Sequence, residues 1–258
     1  MNTADITPLV ITFDEAPNLA RCLSALEWAR RIVIVDSGST DGTAEIAKRW
    51  KQVEVFRRPF DTFAGQCNYG LARVASEFTL SLDADHILSA ALVQEIADVT
   101  PADVAGWRVP FRYCVYGKAL RGSLLPPRVS LYRTAGARYQ DDGHAHRVVV
   151  EGRIADLRAT IDHDDRKPLD RWLASQMRYT AQEARKLAEA GGATLNLADR
   201  LRKKLLGPLL VVPYCLLWKG LILDGWRGLL YTMQRLIAEL MLAVRLLDLK
   251  LAGGRGDA

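Results

Sequence analysis

The sequence predicts an α/β fold: a mostly parallel sheet flanked by helices, followed by amphipathic helices at the C-terminal end. Three observations carry that expectation. Short apolar runs alternate with segments of helical spacing through residues 1–115. From Gly106 to Asp162 the alternation gives way to shorter strands separated by turns. Beyond Asp199 the chain becomes both basic and strongly apolar.

The elements follow in order. Leu9–Phe13 (LVITF) fits a strand buried on both faces. Asn18–Ala29 is spaced as a helix, with Leu19, Cys22, Leu23 and Leu26 on one face. Ile32–Val35 is the second strand, and Ser39 or Thr40 can cap the helix running through Ala44, Ile46, Ala47 and Trp50. Val53–Phe56 is the third strand, Gly65–Ala75 a helix, Phe78–Leu82 the fourth strand and Ala90–Val99 another helix. Parallel strands joined by crossovers bind ligands beyond their carboxyl ends, and Asp14, Asp36 and Asp83 all fall on that edge. The strands in WRVPFRYCVYG, RVSLYR and HRVVVEGRI are expected to complete the sheet and wall the cleft. Pro168–Ala190 reads as a long helix, broken by AGGAT at 190–194.

Leu205–Trp218 is uncharged and apolar, but Lys219 stops it short of the ~20 residues a spanning helix needs. Gly228–Leu251 is amphipathic, with Leu229, Met233, Leu236, Ile237, Leu240, Val244, Leu247 and Leu251 at helical spacing. Residues 199–258 hold ten basic and five acidic side chains, which accounts for the whole net charge of +5. Basic and apolar together favour an anionic membrane surface over nucleic acid, so two interfacial helices are expected. The competing reading packs them on the domain or on a partner subunit.

Composition narrows the class. With 258 residues the chain can bury one sizeable core, or one domain plus an appendage, and 49% hydrophobic with 25% charged residues is ordinary for a globular protein. MNTADITPLVITF lacks the pattern of a signal peptide. Cys22, Cys67, Cys114 and Cys215 are far apart and form no CxxC, which favours core thiols in a reducing compartment over a disulfide frame or a zinc site.

The chemistry concentrates in DADH at 83–86. If the segment stays extended, Asp83 and Asp85 project from one side. Two such carboxylates suit Mg²⁺ or Mn²⁺ carrying a diphosphate. Thr12, Asp14 and Glu15 end the first strand, while Asp36 ends the second and is expected to be open to the cleft. All four can meet a nucleoside; an ordinary turn with helix-start charge is the plainer alternative. Gln66 and Asn68 in FAGQCNYGL suit phosphate, or simply cap the helix. His86 and His163 are candidate ligands or structural histidines, and Arg166 and Lys167 can hold phosphate or decorate a helix start. QDDGHAHR at 140–147 holds the acids available for general-base work. Asp141 and Asp142 face opposite ways in an extended segment; Asp142, beside Gly143, is preferred, with His144 and His146 able to orient it. An acidic turn between strands is the alternative. Arg121, Arg128 and Arg133 flank this acceptor wall, or are solvated surface.

Taken together, LVITFDEAPN (9–18), IVIVDSGSTDGT (32–43), FAGQCNYGL (63–71) and LSLDADH (80–86) resemble the family-2 glycosyltransferases with the GT-A fold. RPFDTFAGQCNYGL is similar to bacterial enzymes related to the lipopolysaccharide-core glucosyltransferases. The resemblance covers roughly residues 1–165. It implies an inverting hexosyltransferase that uses a nucleotide sugar, a UDP-sugar by preference, and a divalent metal. It places Asp36 at the nucleoside, Asp83 and Asp85 at metal and diphosphate, and an acid at 141–142 as base; His163, from its place in IDHDDRKPL after a strand, is a candidate third metal ligand or diphosphate contact on the residue reading alone. The sequence departs from those enzymes at DDGHAHR, where they tend to carry His-Glu, and at Asp14, where they carry asparagine.

The expected organisation is a catalytic domain at 1–165, with 1–115 binding the nucleotide sugar and 116–165 the acceptor. A helical extension at 166–200 and membrane-associated helices at 201–258 follow. The acceptor is expected to be a glycan or glycolipid of the cell envelope, reached from the cytoplasmic face of the membrane; nucleic acid is not expected as a partner. Two competing functions are a polyprenyl-phosphate sugar synthase, which needs no base, and a non-catalytic module binding nucleotide sugar or membrane.

Overall fold

The computed structural model describes residues 1–142, 145–190 and 195–253, with the backbone alone at Asp142, Ala145 and His146. Gly143, His144 and the break at 191–194 lie outside the described residues. The chain forms two compact units: Met1–Ala119 with Leu124–Lys167, and Leu120–Ser123 with Pro168–Ala258.

In the first unit, strands and helices alternate as β1 (Ile6–Thr12), α1 (Ala16–Ser24), β2 (Ile32–Asp36), α2 (Thr43–Ala47), β3 (Val53–Arg57), α3 (Phe63–Leu71) and β4 (Phe78–Asp83). Then come β5 (His86–Leu88), α4 (Ala90–Asp98), β6 (Val104–Val109), β7 (Phe111–Val115), β8 (Lys118–Ala119) and β9 (Arg128–Arg133). The unit closes with β10 (Arg138–Asp142), β11 (Ala145–Val149), β12 (Arg153–Asp156) and β13 (Ile161–His163). The main sheet runs β12-β6-β9-β4-β1-β2-β3. It is mostly parallel: β4, β1, β2 and β3 run together, β12 pairs parallel with β6, and β9 is antiparallel to both its neighbours. β1 and β2 are buried almost throughout, which is why they read as unbroken apolar runs. One face of the sheet packs Ile6, Val10, Ile32 and Leu80 against Leu19, Leu23 and Leu26 from α1 and the turns after it, with Leu92 and Ile96 of α4. The other packs Leu9, Val33 and Val35 against Ala64, Cys67 and Leu71 of α3.

The later strands only partly complete this sheet. β6, β9 and β12 join it, whereas β5, β13, β7 and β8 form a separate four-stranded sheet and β10 with β11 a hairpin. All four cysteines are buried and unpaired.

The second unit is helical: α5 (Leu169–Glu189), α6 (Leu197–Lys203), α7 (Gly207–Pro213) and α8 (Gly225–Gly253). Ala184 and Leu187 of α5 pack on Leu242 and Leu246 of α8. Arg202 of α6 makes a bidentate pair with the buried Glu239 of α8. Pro213 lacks an amide proton and ends the regular turns of α7, and Tyr214–Trp218 continues as π-helix. Among the described residues no single helix is long and apolar enough to cross a membrane; Gly207–Trp218 and Leu221–Ala252 form a pair bent by 71°.

Candidate functional site

The site is built where β1, β2 and β4 end. Asp14 follows β1 with φ +50°, the left-handed region that Asp and Asn tolerate better than other side chains. That conformation stitches two loops together. The Asp14 amide donates to Ser39 Oγ at 2.7 Å, and its carboxylate accepts from the Thr40 amide at 2.7 Å. The amides of Glu15 and Ala16, which open α1, donate to Thr43 Oγ1 and Asp41 Oδ2 of the same neighbouring loop.

Asp36 corrects an expectation. It was expected to be open to the cleft; instead it is 3% exposed at the end of β2. Its Oδ1 accepts from the amides of Gly38 and Ser39, and its Oδ2 from the hydroxyls of Thr12 and Ser39. Ser39 does not cap α2: its hydroxyl donates to Asp36, its Oγ accepts the Asp14 amide, and α2 starts only after Gly42, with no side-chain cap. Asp36, Ser39, Thr40, Gly42 and Arg57 line a cavity of about 230 Å³ beside these strand ends.

The acidic pair is also arranged differently from the extended expectation. β4 ends at Asp83, the chain turns through Ala84 and Asp85, and β5 begins at His86. The turn separates the carboxylates: the Asp83 side chain is 38% exposed, that of Asp85 10%. His86 fixes this turn by accepting the Asp83 amide at Nδ1, 3.0 Å away. A neutral imidazole accepting at Nδ1 carries its proton on Nε2. Nε2 therefore faces Asp83 Oδ2 at 3.6 Å and Asp85 Oδ1 at 3.7 Å as a donor. Burial lowers the His86 pKa and keeps the ring neutral.

His163 is brought in by β13, whose register sets it opposite His86 of β5 and Tyr113 of β7. Its Nδ1 lies 3.3 Å from Asp85 Oδ1, and both atoms are shut from solvent without an aligned hydrogen bond. Asp85, His86 and His163 each place a ligand-capable atom within 4.8 Å of the others. A buried carboxylate oxygen and an imidazole nitrogen, both lacking an aligned partner, fit a hard divalent cation.

Behind this group lies a network that sequence reading missed. Lys167 Nζ sits 2.8 Å from Glu15 Oε1, 3.2 Å from Asp165 and 3.7 Å from Asp85 Oδ2. Burial opposes its charge, but the carboxylates of Asp85, Glu15 and Asp165 outweigh it and raise its pKa. Burial pushes Glu15 up to about 7 against the pull of Lys167. The buried Asn18 amide donates to Glu15 and Asp165 and accepts from the Arg166 amide and Arg21. Arg21 and Arg166 both pair with Asp164. The only signal was the charge density of HDDRKP directly after a strand.

Gln66 and Asn68 are engaged with the frame. Gln66 Nε2 donates to the carbonyls of Arg58 and Pro59, while Asn68 exchanges two hydrogen bonds with the backbone of Tyr139. Asp141 is exposed and accepts the Ala64 amide at 3.1 Å, in the first turn of α3. The side chains of Asp142 and His146 lie outside the described residues, as does His144.

Residues 9–148 match the sequence profile of Glycosyl transferase family 2, more than half of the chain. The chain belongs to that family. It is a glycosyltransferase, and it is 27% identical to the lipopolysaccharide core biosynthesis glycosyltransferase LpsC of Rhizobium meliloti over 196 residues, 72% of this chain and 73% of LpsC. An uncharacterized glycosyltransferase of Rickettsia conorii is 30% identical over 95 residues, 36% of this chain and 33% of that protein. Two solved structures share the GT-A fold. The mannosyltransferase PcManGT of Pyrobaculum calidifontis, in complex with GDP-Man and Mn²⁺, aligns with TM-score 0.55 at 17% identity over 94% of this chain and 87% of its own. S. aureus TarS 1–349, in complex with UDP-GlcNAc, aligns with TM-score 0.50 at 14% identity over 97% of this chain and 92% of its own.

Proposed function

We propose that this glycosyltransferase moves a sugar, with inversion, from a UDP-sugar to a hydroxyl of a cell-envelope glycan or glycolipid at the inner face of the membrane. One observation carries the donor half of this reading: Asp85 Oδ1 and His163 Nδ1 face each other at the carboxyl edge of β4 without an aligned partner. Asp83, Asp85 and His163 would hold Mg²⁺ or Mn²⁺, which would neutralise charge on the departing diphosphate. His86 holds the turn through the Asp83 amide and sets a neutral ring beside both carboxylates. Lys167 keeps Glu15, Asp85 and Asp165 together against their mutual repulsion. Thr12, Asp14, Glu15 and Asp36 frame the nucleoside edge, Asp36 by shaping the loop that a base and ribose would meet. Asp142 takes the proton from the acceptor hydroxyl. Likeness to LpsC supports a lipopolysaccharide-core acceptor. The basic, apolar 201–258 segment supports contact with the membrane that carries it.

The test is a thermal-shift panel of UDP, GDP and UDP-sugars, each with Mn²⁺ and with chelator. Stabilisation by UDP that disappears in chelator is expected. Equal stabilisation in chelator, or none with any nucleotide, would overturn the reading.

A further inference from the structure

We propose that the bend between α7 and α8 is a wedge that inserts into anionic phospholipid bilayers, with a basic collar that seats on lipid phosphates. The inference deepens the membrane reading above and rests on it: it names the segment that enters the bilayer and the lipid class it selects.

Exposed apolar side chains cluster at this bend, although Leu197 and Leu209 elsewhere in the second unit are as exposed. Leu217, Trp218, Ile222, Leu223 and Trp226 are 58–85% exposed, more than any apolar side chain of α8 beyond them except Val244 and Leu251. Gly228 lets the chain fold this tightly, since a Cβ there would meet the Leu221 carbonyl oxygen at 1.9 Å. Large apolar side chains with two tryptophans, held on a rigid turn, suit the boundary between headgroups and acyl chains. Gly207–Trp218 is only twelve residues, too short alone for the ~20 of a spanning helix; with Leu221–Ala252 it has the length and composition to enter a membrane, and the 71° bend between them suits entry as a wedge.

Charge decides the partner. Between Leu205 and Glu239 the acids are Asp224 and Glu239. Asp224 accepts the Arg121 amide and pairs with its guanidinium, and Glu239 is buried against Arg202. Both acids are thus neutralised inside the unit. The bases of the same stretch are Lys219, Arg227 and Arg235. Lys219 lies over the Tyr214 ring, and the buried Nε atoms of Arg227 and Arg235 have no hydrogen-bond partner among the described residues. Lys219 and Arg227, which have no carboxylate partner among the described residues, flank the tip tryptophans in sequence and supply the positive charge that complements lipid phosphates, while Arg235 lies further along α8.

The experiment is flotation of the full-length protein with vesicles of phosphatidylcholine alone or mixed with phosphatidylglycerol. Brominated lipids serve as a depth probe, with W218F and W226F assigning the tryptophan quenching. Wild type is expected to float with the anionic vesicles, with Trp218 and Trp226 quenched. L217S/L223S is expected to cut binding at least tenfold, and K219Q/R227Q to remove the preference for phosphatidylglycerol. A control on the α8 face, L240S/V244S/L247S, is expected to float like wild type. Loss of flotation in that control with an unquenched tip would overturn the wedge and leave the general membrane reading standing. Wild type that floats with neither vesicle would overturn both. The quenching is read on folded wild type and conservative Phe variants, so misfolding of a polar variant cannot mimic it.

Discussion

Asp85 Oδ1 and His163 Nδ1 stand 3.3 Å apart, 78 positions distant in sequence, and neither makes an aligned hydrogen bond. A buried pair left in that state costs stability unless something else is bound between its members. Asp85→Ala is therefore expected to abolish donor hydrolysis, by at least about 100-fold, because a metal supplies several kcal/mol of transition-state stabilisation. The circular dichroism spectrum should stay that of wild type. Turnover retained in chelator would contradict the metal assignment.

His86 acts on the same group from outside. Its Nδ1 accepts the Asp83 amide, so its Nε2 carries the proton and lies 3.6 Å from Asp83 Oδ2 and 3.7 Å from Asp85 Oδ1. His86→Ala is expected to weaken Mn²⁺ binding by about 10–100-fold, the usual loss when a supporting partner is removed. Titration calorimetry with Mn²⁺ and UDP measures it. A loss as complete as that of Asp85→Ala would make His86 a direct ligand.

Much of this was legible in sequence, for definite reasons. β1, β2 and β4 are buried runs bounded by turns, and a buried parallel strand looks like that wherever it occurs. The turn at Ala84–Asp85 was not legible, because it depends on a histidine side chain accepting the amide three residues back. Asp36 was misjudged for a similar reason: its neighbours Thr12 and Ser39 consume the carboxylate that the pattern alone leaves open. The Glu15–Lys167 contact joins residues 152 positions apart and leaves no local trace.

That contact is a stability element. Lys167 and Glu15 are each 14% exposed, and Lys167 also faces Asp165 and Asp85. Lys167→Met removes the cation and leaves three carboxylates confronting one another. The expected loss is about 3–5 kcal/mol, typical of breaking a buried pair. E15Q/K167M should recover part of it. Urea denaturation of the two variants decides; a loss below about 1 kcal/mol, the range of exposed pairs, would mean the pair is effectively solvated.

Gly70 marks the close approach of α3 to the sheet. A Cβ there would lie 2.4 Å from Leu9 Cδ1 and 2.9 Å from Val35 Cγ2, both buried. Gly70→Ala is expected to destabilise by about 1–3 kcal/mol through overpacking, despite the better helix propensity of alanine. An unchanged melting temperature would show that α3 can shift away from β1 and β2.

The side chain of Asp141 already holds a structural contact. Asp141 accepts the Ala64 amide in the first turn of α3, a bond that asparagine Oδ1 can also accept. Asp141→Asn should therefore leave kcat within a few-fold of wild type, while Asp141→Ala should cost about 1 kcal/mol of stability as a lost cap. Asp142→Asn keeps shape but cannot take a proton, so kcat should fall about 10²–10⁴-fold with the donor KM unchanged. The reverse pattern would make Asp141 the base and its contact with α3 a feature of the resting enzyme. If neither substitution slows transfer, no base is needed. The acceptor would then be an anionic nucleophile such as a polyprenyl phosphate, and the hydroxyl-acceptor reading would fall while the donor site stood.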